Sequence, residues 1–130
     1  MPRVINPPSL PDPSVYSYSH AILEDDGRLH VSGQVGLDGE GALAAEDVAS
    51  QARQAFDNIA AILEASGGDI GDVRKVTAYV VDPQSRYGDY HEVWLDTFYE
   101  PYPCHTVVGV DQLAADQYVI EIEVGATVDV

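Results

Sequence analysis

The sequence contains a single cysteine, Cys104, and only six basic residues among 130. One cysteine excludes an intramolecular disulfide framework and any cysteine-rich metal site, and it suits a reducing compartment. Six lysines and arginines against 22 acidic residues give a formal net charge of −16. A chain so poor in positive charge lacks the basic face that nucleic acids and anionic membranes require. We therefore expect neither a nucleic-acid nor a membrane partner.

Long apolar runs and familiar binding motifs are also missing. No apolar stretch reaches about 18 residues, and no basic start precedes an apolar segment, so we expect no membrane span and no signal peptide. This favours a cytoplasmic protein. Phosphate-binding loops, dinucleotide fingerprints and Cys-x-x-Cys pairs are absent, and the four histidines follow no metal-ligand spacing. The sequence therefore predicts no cofactor and no metal.

The length of the chain and the placement of its prolines define its organisation. A chain of 130 residues with 45% hydrophobic content has material for one domain. Five of the eight prolines precede residue 15, and each removes a backbone donor and fixes φ. We predict an irregular Pro-rich arm over residues 1–15, in which no regular ladder forms, and a single domain over residues 16–130.

Periodicity predicts five strands and two helices in the order β-β-α-β-α-β-β. Strand-forming runs at 16–22 and 28–35 flank a turn and indicate a hairpin. Apolar residues recur at helical spacing over 47–66 and 86–99, where the aromatic stripe of the second helix favours core packing. Further β-rich runs occupy 73–81, 105–110 and 118–127. This pattern indicates an α+β domain with both helices packed on one face of the sheet.

Two features of the strands bear on function. Gly33 lies inside a strand pattern, which indicates either a bulge or a backbone that another group approaches closely. In the last strand, Ile120 and Ile122 alternate with Glu121 and Glu123, so one face is apolar and the other acidic. Periodicity alone favours exposure of the acidic face to water. The neighbouring strands, however, carry apolar residues on both faces.

Several segments in order resemble the Rid (YjgF) family of enamine/imine deaminases. The stretch from Val31 to Val35, Val-Ser-Gly-Gln-Val, is similar to the family's Ser-Gly-Gln strand, and residues 51–59 resemble its first helix. Residues 72–80 and 120–123 resemble its third and last strands. The resemblance spans about residues 17–126. It implies a chorismate-mutase-like fold, a homotrimer with clefts between adjacent subunits, and hydrolysis of small reactive enamines or imines to a carbonyl compound and ammonia.

The resemblance also implies roles for individual residues. Glu121 would position the attacking water, and Tyr18, Ser32 and Gly33 would form the cleft wall. If three subunits enclose the cleft, Glu121 is a partly buried carboxylate capable of acid/base chemistry. His91 falls near the cleft mouth, where the family often has asparagine.

One departure from the family affects substrate recognition. The family's Pro-x-Arg-Ser turn, whose arginine binds the substrate carboxylate, corresponds here to Pro103-Cys104-His105-Thr106. An imidazole offers one hydrogen bond where a guanidinium offers two, and it carries charge only below a pKa near 6.5. His105 would bind or protonate the substrate, with Thr106 beside it, either as a cation held by acidic neighbours or as a neutral general base.

Two functions follow from these residues. The first is a trimeric Rid-family hydrolase that deaminates a small enamine or imine, with Glu121 and His105 as its catalytic residues. The alternative is a Rid-family trimer without deaminase activity. Such a trimer would be a small-ligand-binding or regulatory protein, or a pathway-specific enzyme that acts on a different substrate. Some relatives are described as ribonucleases, but a net charge of −16 opposes RNA binding.

Overall fold

The computed structural model describes all 130 residues and contains six strands, two α-helices and two short 3-10 turns. The strands are β1 (Arg3–Ile5), β2 (Ala21–Leu23), β3 (Arg28–Gln34), β4 (Val73–Val81), β5 (Cys104–Val110) and β6 (Ile120–Thr127). The helices are α1 (Val48–Ala65) and α2 (Pro83–Thr97), and the 3-10 turns span Pro13–Tyr16 and Ile70–Asp72.

The strands form one mixed sheet in the order β1-β2-β3-β6-β4-β5. All neighbours are antiparallel except β4 and β5, which run parallel and are joined through α2. Since β3 and β4 both pair antiparallel with β6, the connection from β3 through α1 to β4 is also a parallel crossover. Both crossover connections progress in the same direction across the sheet. Because such connections are right-handed, both helices lie on the same face of the sheet.

Helix α1 is defined at both ends by specific capping interactions. The Asp47 side chain accepts a hydrogen bond from the Ser50 amide at 2.9 Å and caps the amino end. At the carboxyl end, Gly67 adopts a φ of 87°, and the amides of Gly67 and Gly68 donate to the carbonyls of Glu64 and Leu63. Glycine adopts this positive φ without strain, so Gly67 ends the helix.

Helix α2 begins three residues earlier than the pattern of aromatic residues indicates, at Pro83 rather than residue 86. Proline is tolerated at the first helical position because that amide has no intrahelical partner. The helix ends at Thr97 because Phe98 is extended. Of the predicted aromatic stripe, Tyr90, Trp94 and Phe98 are buried, so these three pack in the core as expected.

The α+β fold with two helices packed on a mixed sheet is confirmed, but the amino-terminal region differs from the prediction. The expectation that no ladder forms before residue 15 is wrong, because β1 pairs with β2 in a stretch between Pro2 and Pro7. The first predicted strand, residues 16–22, is also wrong over most of its length. Its start belongs to a 3-10 turn capped by Asp12, and only Ala21–Leu23 is extended in the sheet.

The core lies between the helices and one face of the sheet. Ile120, Ile122 and Val124 of β6 are buried against the helices, whereas Glu121 and Glu123 are half-buried on the other face. The predicted alternation of the last strand is therefore confirmed. We call the face that carries Glu121 and Glu123 the open face of the sheet, because both helices pack on the opposite face.

Candidate functional site

Glu121 lies on the open face near the middle of the sheet, where β6 is paired with β3 and β4. Burial raises the pKa of its carboxyl group, and the nearby carboxylate of Glu123 raises it further. Both causes disfavour the ionised form. A carboxyl group in this state exchanges a proton more readily near neutral pH than an exposed glutamate does, which suits acid/base chemistry.

Gly33 shapes the space around this carboxyl group. The pairing of β3 with β6 shifts register between Val31 and Gln34, so Ser32 and Gly33 form a bulge against β6. A Cβ atom built on Gly33 would overlap the Glu121 side chain, lying 2.8 Å from its Cδ and 2.9 Å from its Cγ. Both interpretations of Gly33 are therefore confirmed, since it forms a bulge and is also approached closely by another group.

Tyr18 lies on the same side of the molecule, close enough to Glu121 for the two to interact electrostatically. Burial raises the pKa of its phenol, and Glu121 adds to the increase. The ring is 44% exposed and packs edge-on against His20. Tyr18 and Gly33 both line a cavity of about 100 Å³ beneath the 3-10 turn at Pro13–Tyr16. The sequence-predicted residues Tyr18, Gly33 and Glu121 therefore lie together.

Ser32 belongs to the same region but is engaged in a structural contact. Its hydroxyl donates a hydrogen bond to the Ser19 carbonyl at 2.6 Å. This bond ties β3 to the segment that carries Tyr18. The hydroxyl therefore fixes the relative position of two elements of the site.

One residue of this group, Tyr79 of β4, was not predicted from the sequence. Its hydroxyl donates to the Glu123 carboxylate at 2.5 Å, and in the sheet it is the register partner of Glu121. The hydrogen bond to Glu123 raises the pKa of the phenol. Strand alternation could have placed Tyr79 on the open face, but the pairing of β4 with β6 is needed to place it beside the two glutamates.

His105 lies on the opposite face of the sheet, under helix α2. Its register partner on β4 is the fully buried Val76. The imidazole stacks on the Trp94 ring with centroids 3.6 Å apart and an interplanar angle of 2°. Its Nε2 atom is 2.8 Å from the Tyr90 hydroxyl. The ring is thus held by two side chains of α2.

The electrostatic environment of His105 disfavours its charged form. Burial, with a smaller contribution from the neighbouring His91, lowers the pKa of the imidazole to about 4. No carboxylate forms an ion pair with the ring, and the four ion pairs of the chain lie elsewhere. The sequence leaves His105 either a cation or a neutral base, and the structure favours the neutral imidazole.

His91 and Thr106 lie near His105 but make different contacts. The His91 ring stacks on Tyr87, with centroids 5.5 Å apart and an interplanar angle of 14°. Thr106 is exposed and pairs in register with Thr77 of β4, so it shares the open face rather than the face of His105. The three predicted residues at this end therefore do not converge on one point in a single chain.

The candidate residues thus form two groups. The first comprises Tyr18, Gly33, Glu121, Glu123 and the previously missed Tyr79. The second comprises His91 and His105 beside α2, at the edge of the sheet formed by β5. No hydrogen bond or ion pair joins the two groups. The largest surface groove, about 540 Å³, lies elsewhere, between the Ile70–Asp72 turn and the loop that precedes β5.

Comparison with known proteins identifies the family. The family model described as Endoribonuclease L-PSP, which includes the Rid (YjgF) proteins, matches residues 10–128. The chain belongs to the Rid family. A RutC family protein of Pyrococcus horikoshii is 37% identical over 95% of both chains. The human 2-iminobutanoate/2-iminopropanoate deaminase is 33% identical over 93% of this chain and 86% of its own.

Solved structures of Rid proteins share the fold. The crystal structure of RidA from the Antarctic bacterium Psychrobacter sp. PAMC 21119 superposes with a TM-score of 0.87 and is 35% identical, covering 97% of this chain and 99% of that one. The two helices on a mixed six-stranded sheet are therefore the architecture of this Rid protein and of its structural relatives.

Two features are absent from this Rid protein. No group of three or more His, Cys, Asp or Glu side chains is arranged to hold a metal ion. Neither helix combines the length and the apolar character needed to cross a bilayer.

Proposed function

We propose that this Rid protein is a hydrolase that converts a small reactive enamine or imine to a carbonyl compound and ammonia. The observation that carries the proposal is the Glu121 carboxyl group, half-buried on the open face and folded over Gly33 beside Tyr18. Relatives named 2-iminobutanoate/2-iminopropanoate deaminase, 31–34% identical to this chain, support the reaction class.

The reaction is the addition of water to a carbon–nitrogen double bond. The Glu121 carboxylate accepts a hydrogen bond from water and draws off a proton as the oxygen attacks the imine carbon. That proton passes to the imine nitrogen, which gives the neutral carbinolamine. Glu121 then takes the proton of the new hydroxyl group and returns it to the nitrogen as the carbon–nitrogen bond breaks, so that the carbonyl forms and ammonia leaves. An enamine first accepts a proton on carbon to become the imine. The overall change is R₂C=NH + H₂O → R₂C=O + NH₃.

We also propose a homotrimer in which this chemistry occurs between subunits. In one chain, Glu121 and His105 lie on opposite faces of the sheet. A cleft formed by the open face of one subunit and the β5 edge of the next would bring the two groups together around one substrate. It would also cover the half-buried polar side chains of the open face. In this arrangement His105 and Thr106 contact the substrate, His91 lies at the mouth, and Ser32 supports the wall.

The test measures the hydrolysis of imines generated in place by oxidases, from about pH 5 to pH 8. Ammonia release above the uncatalysed rate is expected for wild type. A large loss is expected for Glu121→Gln, which keeps the shape and removes the carboxylate. Glu40→Gln makes the same change at an exposed position and should behave as wild type. Equal rates for wild type, Glu121→Gln and buffer would exclude the deaminase.

Light scattering tests the assembly separately. A mass of three chains is expected at micromolar concentration, and a mass of one chain would exclude the shared cleft.

We further propose a cytoplasmic setting, supported by the free and exposed thiol of Cys104.

The second candidate function is a Rid trimer without deaminase activity, acting as a ligand-binding protein or on a different substrate. The favouring observation is that the His105 ring is held by Trp94 and Tyr90. This candidate predicts that wild type leaves the rate of imine hydrolysis unchanged although the trimer forms.

A further inference from the structure

The Tyr90–His105–Trp94 cluster bears on which imines the site accepts. The Tyr90 ring is fully buried, and its hydroxyl has one hydrogen-bond partner, His105 Nε2 at 2.8 Å. If Nε2 carried the proton, the buried Tyr90 hydroxyl hydrogen would have no acceptor, which is costly. The hydroxyl therefore donates to Nε2, and the imidazole proton resides on Nδ1.

This tautomer limits what His105 offers a substrate. With Nε2 occupied as an acceptor, the ring presents one neutral Nδ1–H donor. A second proton would bind Nε2 and break the hydrogen bond that this atom accepts from the Tyr90 hydroxyl. It would also place a positive charge on a ring that Trp94 shields from water. His91, the titratable group that acts on the ring, opposes a further positive charge. A substrate carboxylate would therefore meet one neutral hydrogen bond instead of a cation.

The remaining charges around the candidate site are also unfavourable to an anion. Glu121 and Glu123 both lie on the open face, and the chain carries a net charge of −16. Lys75 is the one basic residue that lines the shallow depression beside Glu123, and it is exposed. Four of the five arginines are engaged by hydrogen bonds elsewhere: Arg28 with Asp26, Arg53 with Asp96, Arg74 with the Gly71 carbonyl and Arg86 with the Val81 carbonyl.

We infer that this Rid protein acts on imines or enamines that lack a carboxylate group. The inference rests on the proposed deaminase function and specifies its substrate class. A neutral imine fits the single Nδ1–H donor. A protonated iminium ion is attracted by the acidic surface that repels an imino acid. Such imines arise from the two-electron oxidation of primary amines, rather than from amino acids that keep their carboxylate.

The experiment compares two imines that differ only in the carboxylate. An amino-acid oxidase converts leucine to 4-methyl-2-iminopentanoate, and a flavin amine oxidase converts isoamylamine to 3-methylbutan-1-imine. Hydrolysis is followed as the loss of imine that semicarbazide can trap. We expect wild-type kcat/KM to favour the imine that lacks a carboxylate by at least about tenfold.

A charge-matched pair of variants shows whether the preference originates at His105. His105→Arg should shift the ratio of kcat/KM values toward the imino acid by about tenfold or more, because a guanidinium binds a carboxylate with two hydrogen bonds. Ala60→Arg introduces the same group on the exposed side of helix α1, away from the sheet, and should leave the ratio unchanged. The wild-type ratio of kcat/KM values for the two imines tests the substrate class even if His105→Arg does not fold.

The outcomes separate this inference from the proposed function. A wild-type preference for the imino acid, or equal rates with the two imines, overturns the substrate class while the deaminase remains. Acceleration of neither imine removes the deaminase, and the substrate class with it. An equal shift of the ratio by both arginine variants would attribute the selectivity to overall charge and overturn the role of His105.

Discussion

Replacing Gly33 by alanine tests whether catalysis depends on the position of the Glu121 carboxyl group. The added methyl carbon would lie 2.8 Å from Cδ and 2.9 Å from Cγ of Glu121, whereas non-bonded carbons prefer about 3.5–4.0 Å. The carboxyl group must therefore move by about 1 Å. A displacement of this size in a catalytic group costs about 100-fold in rate.

The fold should tolerate the same substitution. The atoms in the way belong to the end of a flexible side chain, and Gly33 does not adopt a positive φ. We expect the melting temperature to change by less than about 5 °C, and kcat/KM for imine hydrolysis to fall by about 100-fold. Gly125→Ala is the matched control, because a Cβ on this glycine of β6 meets no atom within 4 Å.

Two results would refute the reasoning. Full activity in Gly33→Ala would mean that the present position of the Glu121 carboxyl group is not the one used in catalysis. An equal loss of activity in Gly125→Ala would mean that any side chain added to this part of the sheet is harmful.

Three further predictions concern stability. The melting temperature should rise between low salt and about 1 M NaCl as repulsion among the acidic residues is screened; a flat or falling value contradicts this. Glu121→Gln should raise the melting temperature more at pH 8 than at pH 4. Burial and Glu123 raise the pKa of the Glu121 carboxyl above its usual value of 4.5, so its ionisation with rising pH destabilises the folded state. Equal increases in melting temperature at both pH values would contradict this prediction. Gln51→Leu should lower the free energy of unfolding in urea by roughly 2–4 kcal/mol, because it leaves the buried Val119 amide and two carbonyls unpaired. Gln84→Leu, at an exposed position, is the control. A similar loss of stability in both variants would contradict this prediction.

Much of the fold could be predicted because the strongest local signals agree with the tertiary structure. The apolar stripe of α1 and its terminal glycines, the β-rich run at Val73–Val81 and the alternation of β6 each specify their own element. The amino-terminal strands could not be predicted in this way. β1 is three residues long, and its place in the sheet depends on pairing with β2, which is distant in sequence.

The candidate site was predicted less completely, because its geometry depends on contacts between strands. The residues Tyr18, Gly33 and Glu121 follow from the family resemblance, and the structure brings them together. Tyr79 was missed because its relation to Glu123 depends on the register of β4 against β6. The neutral state of His105 was left open, since the sequence does not show that α2 covers the ring.

The alternation of β6 assigns two different roles to the two sides of one strand. Ile120, Ile122 and Val124 hold the helices, whereas Glu121 and Glu123 project the other way and contribute nothing to that packing. A substitution on the projecting side therefore leaves the packing of the interior unchanged. A sheet organised in this way can carry different side chains on its outward face while its architecture stays the same.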